Sequence, residues 1–148
     1  MILHPIHEKF IVRKYRKGDF KNISSLWQDT GISNPLRGDD ENTIKKSIKI
    51  GGSLLILEEK NIGRICGTSW MTFDGRRIHL HHFGILPEYQ GKGLSKLLLR
   101  ESVEFARKKG CQIKLEVKRT NKKAIDLYSK AGFEYLGDYD VYILRDKK

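Results

Sequence analysis

Cysteine and proline are scarce in this chain, with two of the former and three of the latter among 148 residues. Cys66 and Cys111 supply neither a disulfide framework nor metal-ligand spacing, so a secreted disulfide scaffold is excluded, no metal is expected, and both thiols are expected to be buried. Long apolar runs are missing too. Nothing approaches the roughly 20 residues needed to cross a bilayer, and the first residues lack the charged-then-apolar order of a signal peptide, so no membrane is expected and the cytoplasm is the expected home. Acidic residues are in deficit: 18 Asp and Glu stand against 29 Lys and Arg, a net charge of +11. Such an excess suits nucleic acid, an acidic protein surface or a polyanionic small molecule. The basic residues are scattered, as in Arg107-Lys108-Lys109, Lys118-Arg119 and Lys122-Lys123, without an arginine-rich tail or the aromatic-basic pattern of an RNA-binding sheet, so nucleic acid is not favoured.

What is present is a globular balance, 39% hydrophobic and 32% charged, and a length that suits one domain over residues 1–148. Phe10 to Tyr15 reads as an opening strand. A helix begins near Gly18-Asp19, carries Ile23, Leu26 and Trp27 at helical spacing, and stops at Gly31. Gly31 to Gly38 reads as a loop, after which Asp39 or Asp40 can cap a second helix presenting Ile44 and Ile48. Ser53 to Glu59 is an apolar strand, and Ile62 to Phe73 with Arg77 to Leu86 form a hairpin around Asp74-Gly75. A long helix from Gly91 to Lys109 aligns Leu94, Leu97, Leu98, Ser102 and Phe105 and ends at Gly110. Ile113, Leu115 and Val117 alternate with charged residues in a further strand, Thr120 caps a last helix, and Phe133 to Asp146 closes the chain as a hairpin near Gly137-Asp138. The expected fold class is α+β (α/β/α), a mixed, mostly antiparallel sheet of about seven strands with helices on both faces.

The segment Ile85-Leu86-Pro87-Glu88-Tyr89-Gln90-Gly91-Lys92-Gly93-Leu94-Ser95 passes from a strand through a glycine-bearing turn into a helix. A helix N-terminus leaves backbone N–H groups unpaired at its positive end, and Gly91 and Gly93 have no side chain to block a phosphate. A phosphorylated ligand is therefore expected, with Gln90, Gly91, Lys92, Gly93, Leu94, Ser95 and Lys96 around it.

A second pattern follows about thirty residues later: Asn121-Lys122-Lys123-Ala124-Ile125-Asp126-Leu127-Tyr128, then Gly132-Phe133. With Gln90, Gly93 and the element order, it resembles the GNAT family of acetyl-coenzyme A dependent N-acetyltransferases over essentially the whole chain. One position departs: the family's turn ends in Gly or Ala where Ser95 stands, a small residue that keeps its N–H. The resemblance implies acetyl transfer from acetyl-coenzyme A to a primary amine by direct attack in a ternary complex. It further implies that Asn121 contacts coenzyme A and that Tyr128 protonates the departing thiolate. On a helix, positions 121 and 128 would share a face. The backbone of Phe83, Gly84 and Ile85 is expected to meet the pantetheine arm or the thioester oxygen.

An amine with a reference pKa of about 10.4 is neutral in only roughly one molecule in a few thousand near pH 7, so a base is useful. Three histidines stand in His79-Leu80-His81-His82. In a regular strand His79 and His81 share one face and His82 takes the other, which favours the pair as the base. A bulge there would change the side His82 faces. Acceptor-side candidates are the loop Gly31 to Gly38, Trp70 and Phe73, although packing suits the two aromatics better and Trp27 reads as core. The acceptor itself, a small amine or a protein N-terminus or lysine, is not legible. Other readings are a non-catalytic acyl-coenzyme A sensor and a nucleic-acid-binding protein. A homodimer through the C-terminal hairpin is compatible with the sequence but not required by it.

Overall fold

Segments between Ser53 and Ile85, buried at consecutive positions in the two central strands, build the centre of one sheet. The computed structural model describes residues 8–32 and 38–147, and the chain forms two compact units, Met1–Glu116 and Val117–Lys148. The first contains β1 (Phe10–Lys14), α1 (Phe20–Asp29), α2 (Glu41–Lys49), β2 (Ser53–Glu59), β3 (Arg64–Phe73), β4 (Ile78–Ile85), a 3-10 turn (Pro87–Tyr89), α3 (Leu94–Lys109) and β5 (Ile113–Leu115). The strands lie in chain order, antiparallel from β1 to β4, with β5 parallel to β4.

Helices cover both faces of this sheet, as neighbouring residues of β3 show. Ser69 hydrogen-bonds Ser102 of α3 at 2.7 Å, whereas Trp70 donates to Ser47 of α2 at 2.9 Å and Thr68 accepts from Trp27 of α1 at 2.9 Å. Successive strand residues point to opposite faces, so α3 lies on one side and α1 with α2 on the other. The β3–β4 hairpin turns where expected: the Asp74 carboxylate accepts from the amides of Arg76 and Arg77 at 2.7 Å, while Gly75 supplies a φ of +92°. In α2 the cap is Asp40, whose side chain accepts from the Thr43 amide. Ile44 and Ser47 are the buried residues of that helix, whereas Ile48, expected on the same side as Ile44, is 36% exposed. Cys66 is buried as expected, but Cys111 is only partly so.

The second unit holds α4 (Lys122–Lys130) and departs from expectation in two ways. Its N-cap is Asn121, not Thr120, with the Asn121 side-chain oxygen accepting from the Ala124 amide at 3.2 Å. Residues 133–146 turn at Gly137-Asp138, closed by the Tyr139 amide on the Leu136 carbonyl at 3.3 Å, but form no strands. The sheet therefore has five described strands rather than about seven. An isolated two-stranded ribbon is marginal, and this unit contains no sheet of its own for such a ribbon to extend. Tyr142 and Leu144 stand 90% and 87% exposed. The hairpin on which a homodimer could be built is thus not formed in the described residues. No described helix is long and apolar enough to cross a membrane.

Candidate active site

The turn after β4 is tied down on its protein side and left uncapped on the other. Tyr89 is buried and donates to Glu59 at 2.6 Å, Glu88 pairs with Arg64 at 2.6 Å, and Gln90 donates through its side-chain amide to the Ile85 carbonyl at 3.0 Å. Gln90 thus fastens the end of β4 to the turn. Gly91 and Gly93 both have φ +78°, a conformation costly for any residue with a Cβ. A Cβ built on either would meet nothing within 4 Å, so the glycines answer a backbone demand and leave room above the turn. Gly93 is the N-cap of α3 and offers no capping side chain, and the first turn of this 16-residue helix contains no acid. Uncapped amides at the positive end of a helix fit a pyrophosphate. Ser95 is partly exposed in that first turn, and Lys92 and Lys96 are exposed beside it; the Lys92 ammonium also lies 5.5 Å from the centre of the Tyr89 ring.

The strand entering the turn changes character along its length. Ile78, His79 and Leu80 are paired with Ile113, Lys114 and Leu115; among the described residues that ladder stops there. On its other side β4 faces β3, with Trp70 opposite His81 and Thr68 opposite Gly84. One residue of β3, Ser69, therefore opposes two of β4, His82 and Phe83, which is a β-bulge. His82 adopts φ +42°, the one positive φ outside glycine among the described residues.

The extra residue reverses the alternation and corrects the expected facing of His82. His79 and His81 face the α1 and α2 side with rings 4.2 Å apart and 12° from parallel, and His82 joins that face instead of the opposite one. Its ring packs 4.4 Å from Trp27 and 5.0 Å from Trp70, between centroids. Its Nε2 comes within 2.9 Å of a carboxylate oxygen of Asp39, although neither ring nitrogen is aligned for a hydrogen bond with a described partner. The contact is a ring edge beside a carboxylate, not a directed N–H···O bond. Gly84 follows on the same face, where Ile32 presses so closely that a Cβ at 84 would lie 2.6 Å from its Cδ1.

The histidines differ in how well they could hold a proton. Burial pushes the His81 imidazole down to about 4, with the charges of His79 and His82 acting in the same direction, and its Nε2 already shares a hydrogen bond with the Thr72 hydroxyl at 2.9 Å. Burial lowers His79 as well, but Glu116 opposes that shift, with its carboxylate 3.9 Å from His79 Nε2. Both rings are therefore neutral near pH 7, and His79 is the better acceptor of the two.

In the second unit, burial alone pushes the Tyr128 phenol up to about 12, so it keeps its proton at neutral pH. Its ring lies 5.7 Å from that of Phe133, and the Phe133 amide returns to the Tyr128 carbonyl at 3.0 Å. Asn121 stands just outside the helix, with φ −83° and ψ 75°, so seven-residue spacing does not by itself put it on the face of Tyr128. Trp27 and Trp70 are core. Phe73 is half-buried beneath the Lys109 ammonium, 4.7 Å from its ring centre. In the loop Gly31 to Gly38, residues 33–37 lie outside the described residues. Asp39 was legible only as a helix cap and Ile32 only as part of the candidate loop Gly31 to Gly38; it is the bulge that brings β4 against them.

A family model described as "Acetyltransferase (GNAT) family" matches residues 21–133, a span that holds the turn, the histidine face and α4. This chain belongs to the GNAT acetyltransferase family. Solved GNAT-type structures share its fold at low identity. A predicted acetyltransferase from Clostridium acetobutylicum, solved with acetyl-CoA, has a TM-score of 0.70 and 20% identity, covering 90% of this chain and 96% of that one. The ribosomal-protein-S18-alanine N-acetyltransferase of Escherichia coli gives 0.71 and 20%, over 84% and 77%. Glucosamine-6-phosphate N-acetyltransferase of Arabidopsis thaliana gives 0.68 and 18%, over 94% and 99%. As a GNAT acetyltransferase the chain is an N-acetyltransferase, an enzyme moving acetyl from acetyl-CoA to an amine.

Proposed function

We propose that residues 1–148 act as one catalytic domain that acetylates a primary amine by direct attack within a ternary complex. The observation carrying this reading is the uncapped, acid-free N-terminus of α3 behind two left-handed glycines, at the end of a strand bearing two neutral histidines. Acetyl-CoA supplies the activated acyl group. Amides from Gly91 to Lys96 bind its pyrophosphate, with Lys92 and Lys96 adding positive charge and Asn121 contacting the coenzyme A moiety. The backbone of residues 83–85 meets the pantetheine arm and polarises the thioester carbonyl. His79 takes a proton from the ammonium form of the acceptor, with Glu116 steadying the imidazolium and His81 stacked behind it. The neutral nitrogen bonds the thioester carbon, the C–S bond breaks, and Tyr128 gives its phenolic proton to the leaving thiolate. The second proton shed by the acylated nitrogen passes through water to restore the Tyr128 phenol, and His79 returns the first to solvent.

Two structural relatives are named for acting on a protein alanine and on an amino sugar phosphate; for this chain the acceptor is read only as a small amine or a protein N-terminus or lysine. The excess of +11 is more than one coenzyme A needs, so acceptors with acidic groups near the amine suit this protein better than polyamines.

The test is thiol release from acetyl-CoA across a panel of peptide, amino-sugar and small amines, run with wild type and Tyr128→Phe. Thiol should appear only when acetyl-CoA and an accepted amine are both present, and Tyr128→Phe should lose roughly a hundredfold in kcat with acetyl-CoA affinity nearly unchanged. Acetyl-CoA binding without turnover on any amine would favour an acyl-CoA sensor. Binding to DNA or RNA that persists at moderate salt would favour the nucleic-acid reading.

A further inference from the structure

His82 occupies the position in β4 where a side chain costs most. A bulge residue in the left-handed region is ordinarily glycine, and an L-residue there is strained. Strain of this kind persists only where the surroundings over-determine it. Here they do so twice, through the carbonyl and through the ring.

The His82 carbonyl accepts from Thr68 Oγ1 at 2.8 Å, and Thr68 Oγ1 in turn accepts from Trp27 Nε1 at 2.9 Å. Thr68 and Trp27 are both fully buried, so this chain of hydrogen bonds is shielded from competing water. The ring is bracketed by Trp27 and Trp70 and lies against the Asp39 carboxylate, whose side chain is 5% exposed. Asp39 adjoins Asp40, yet the two have separate tasks: Asp40 caps α2 and Asp39 turns inward to β4. In a trans peptide the C=O and N–H point in opposite directions. Holding the His82 carbonyl toward β3 therefore sets the orientation of the whole 82–83 peptide and of the strand that continues to Ile85.

We propose that His82, gripped by Asp39, Trp27 and Trp70, is a positioning residue that locks the β4 bulge and thereby aims the backbone of residues 83–85 at the acyl group. This rests on the acetyltransferase reading above. The buried ring nitrogens keep His82 from touching substrate, so it acts through the strand rather than on the reacting atoms.

Wild type, His82→Ala, His82→Asn and Asp39→Asn are compared in three measurements. These are calorimetric titration with acetyl-CoA, kcat per acetyl-CoA-binding site with the best amine of the panel, and amide chemical shifts of residues 82–85. His82→Ala should bind acetyl-CoA within about threefold of wild type but lose roughly tenfold or more in kcat, since small misplacements of a reacting geometry are costly. Asparagine tolerates the left-handed region and can hydrogen-bond a carboxylate, so His82→Asn should recover most of that loss, with Asp39→Asn intermediate. A histidine needed only for folding would lower the melting temperature and the number of binding sites while leaving kcat per site equal in all four proteins, and that result overturns the proposal. If wild type binds acetyl-CoA but turns over no panel amine, the shifts decide: acetyl-CoA must perturb residues 83–85 in wild type and His82→Asn but not in His82→Ala, and an identical perturbation in His82→Ala overturns it. A wild type that fails to bind acetyl-CoA overturns both readings, whereas unchanged variants of an active wild type overturn this one alone.

Discussion

The turn from Gln90 to Lys96 and the histidine face of β4 adjoin one another, yet they are made from different materials. The turn is built from backbone: two glycines at φ +78° and a helix end without a capping side chain. Its chemistry follows from conformation, and any chain holding that conformation attracts an anion. The histidine face is built from side chains, and its chemistry depends on which way each one points. A single extra residue between His81 and Gly84 is enough to change that. Binding and catalysis are therefore expected to fail separately, which gives the comparison its experimental content.

The largest effect is expected at the turn. Gly93→Asp forces a Cβ into the left-handed region and places a carboxylate beside the pyrophosphate, so acetyl-CoA affinity should fall about a hundredfold or more by calorimetry, like charges costing several kcal/mol. Affinity within threefold of wild type would show that the anion lies elsewhere and would break the comparison. On the other side of it, His79→Ala should cut kcat by tens of fold while leaving acetyl-CoA affinity intact.

Titration sharpens the same contrast with a smaller effect. Burial holds His79 below its ordinary value of 6.5, and the base must be neutral to accept a proton. Activity should therefore be full above pH 6.5 and fall only as pH drops through a lower value, read as the acid limb of kcat/KM. Because Glu116 raises His79, Glu116→Gln should move that limb by less than about one pH unit further toward acid. Acetyl-CoA binding should not follow this limb, and a limb that stays in His79→Ala would remove His79 from the mechanism.

What was legible in the sequence follows the same division. The apolar run Leu54 to Leu57 placed β2, alternation at Ile113 and Leu115 placed β5, Asp74-Gly75 marked the β3–β4 hairpin, and Gly91, Gly93 and Gly110 bounded α3, because each rests on local preference. The Asn121 to Phe133 pattern located α4, although its cap is Asn121 and not Thr120. Less legible was anything set by partners distant in the chain. Strict alternation sends His82 to the wrong face, since a bulge leaves no mark in a run such as His79-Leu80-His81-His82-Phe83. Asp39 and Asp40 are indistinguishable as caps until the strand beside them is in place. The turn residues Gly137-Asp138 suggest a hairpin over Phe133 to Asp146, but a turn does not supply the sheet such a hairpin would join.

A crystal structure with acetyl-CoA bound tests the account most directly. The account predicts pyrophosphate oxygens within hydrogen-bond distance of amides between Gly91 and Lys96, and the acetyl carbonyl against the backbone of residues 83–85 on the side open to His79. A pyrophosphate bound away from the α3 N-terminus, or an acetyl group out of reach of that backbone, would contradict it.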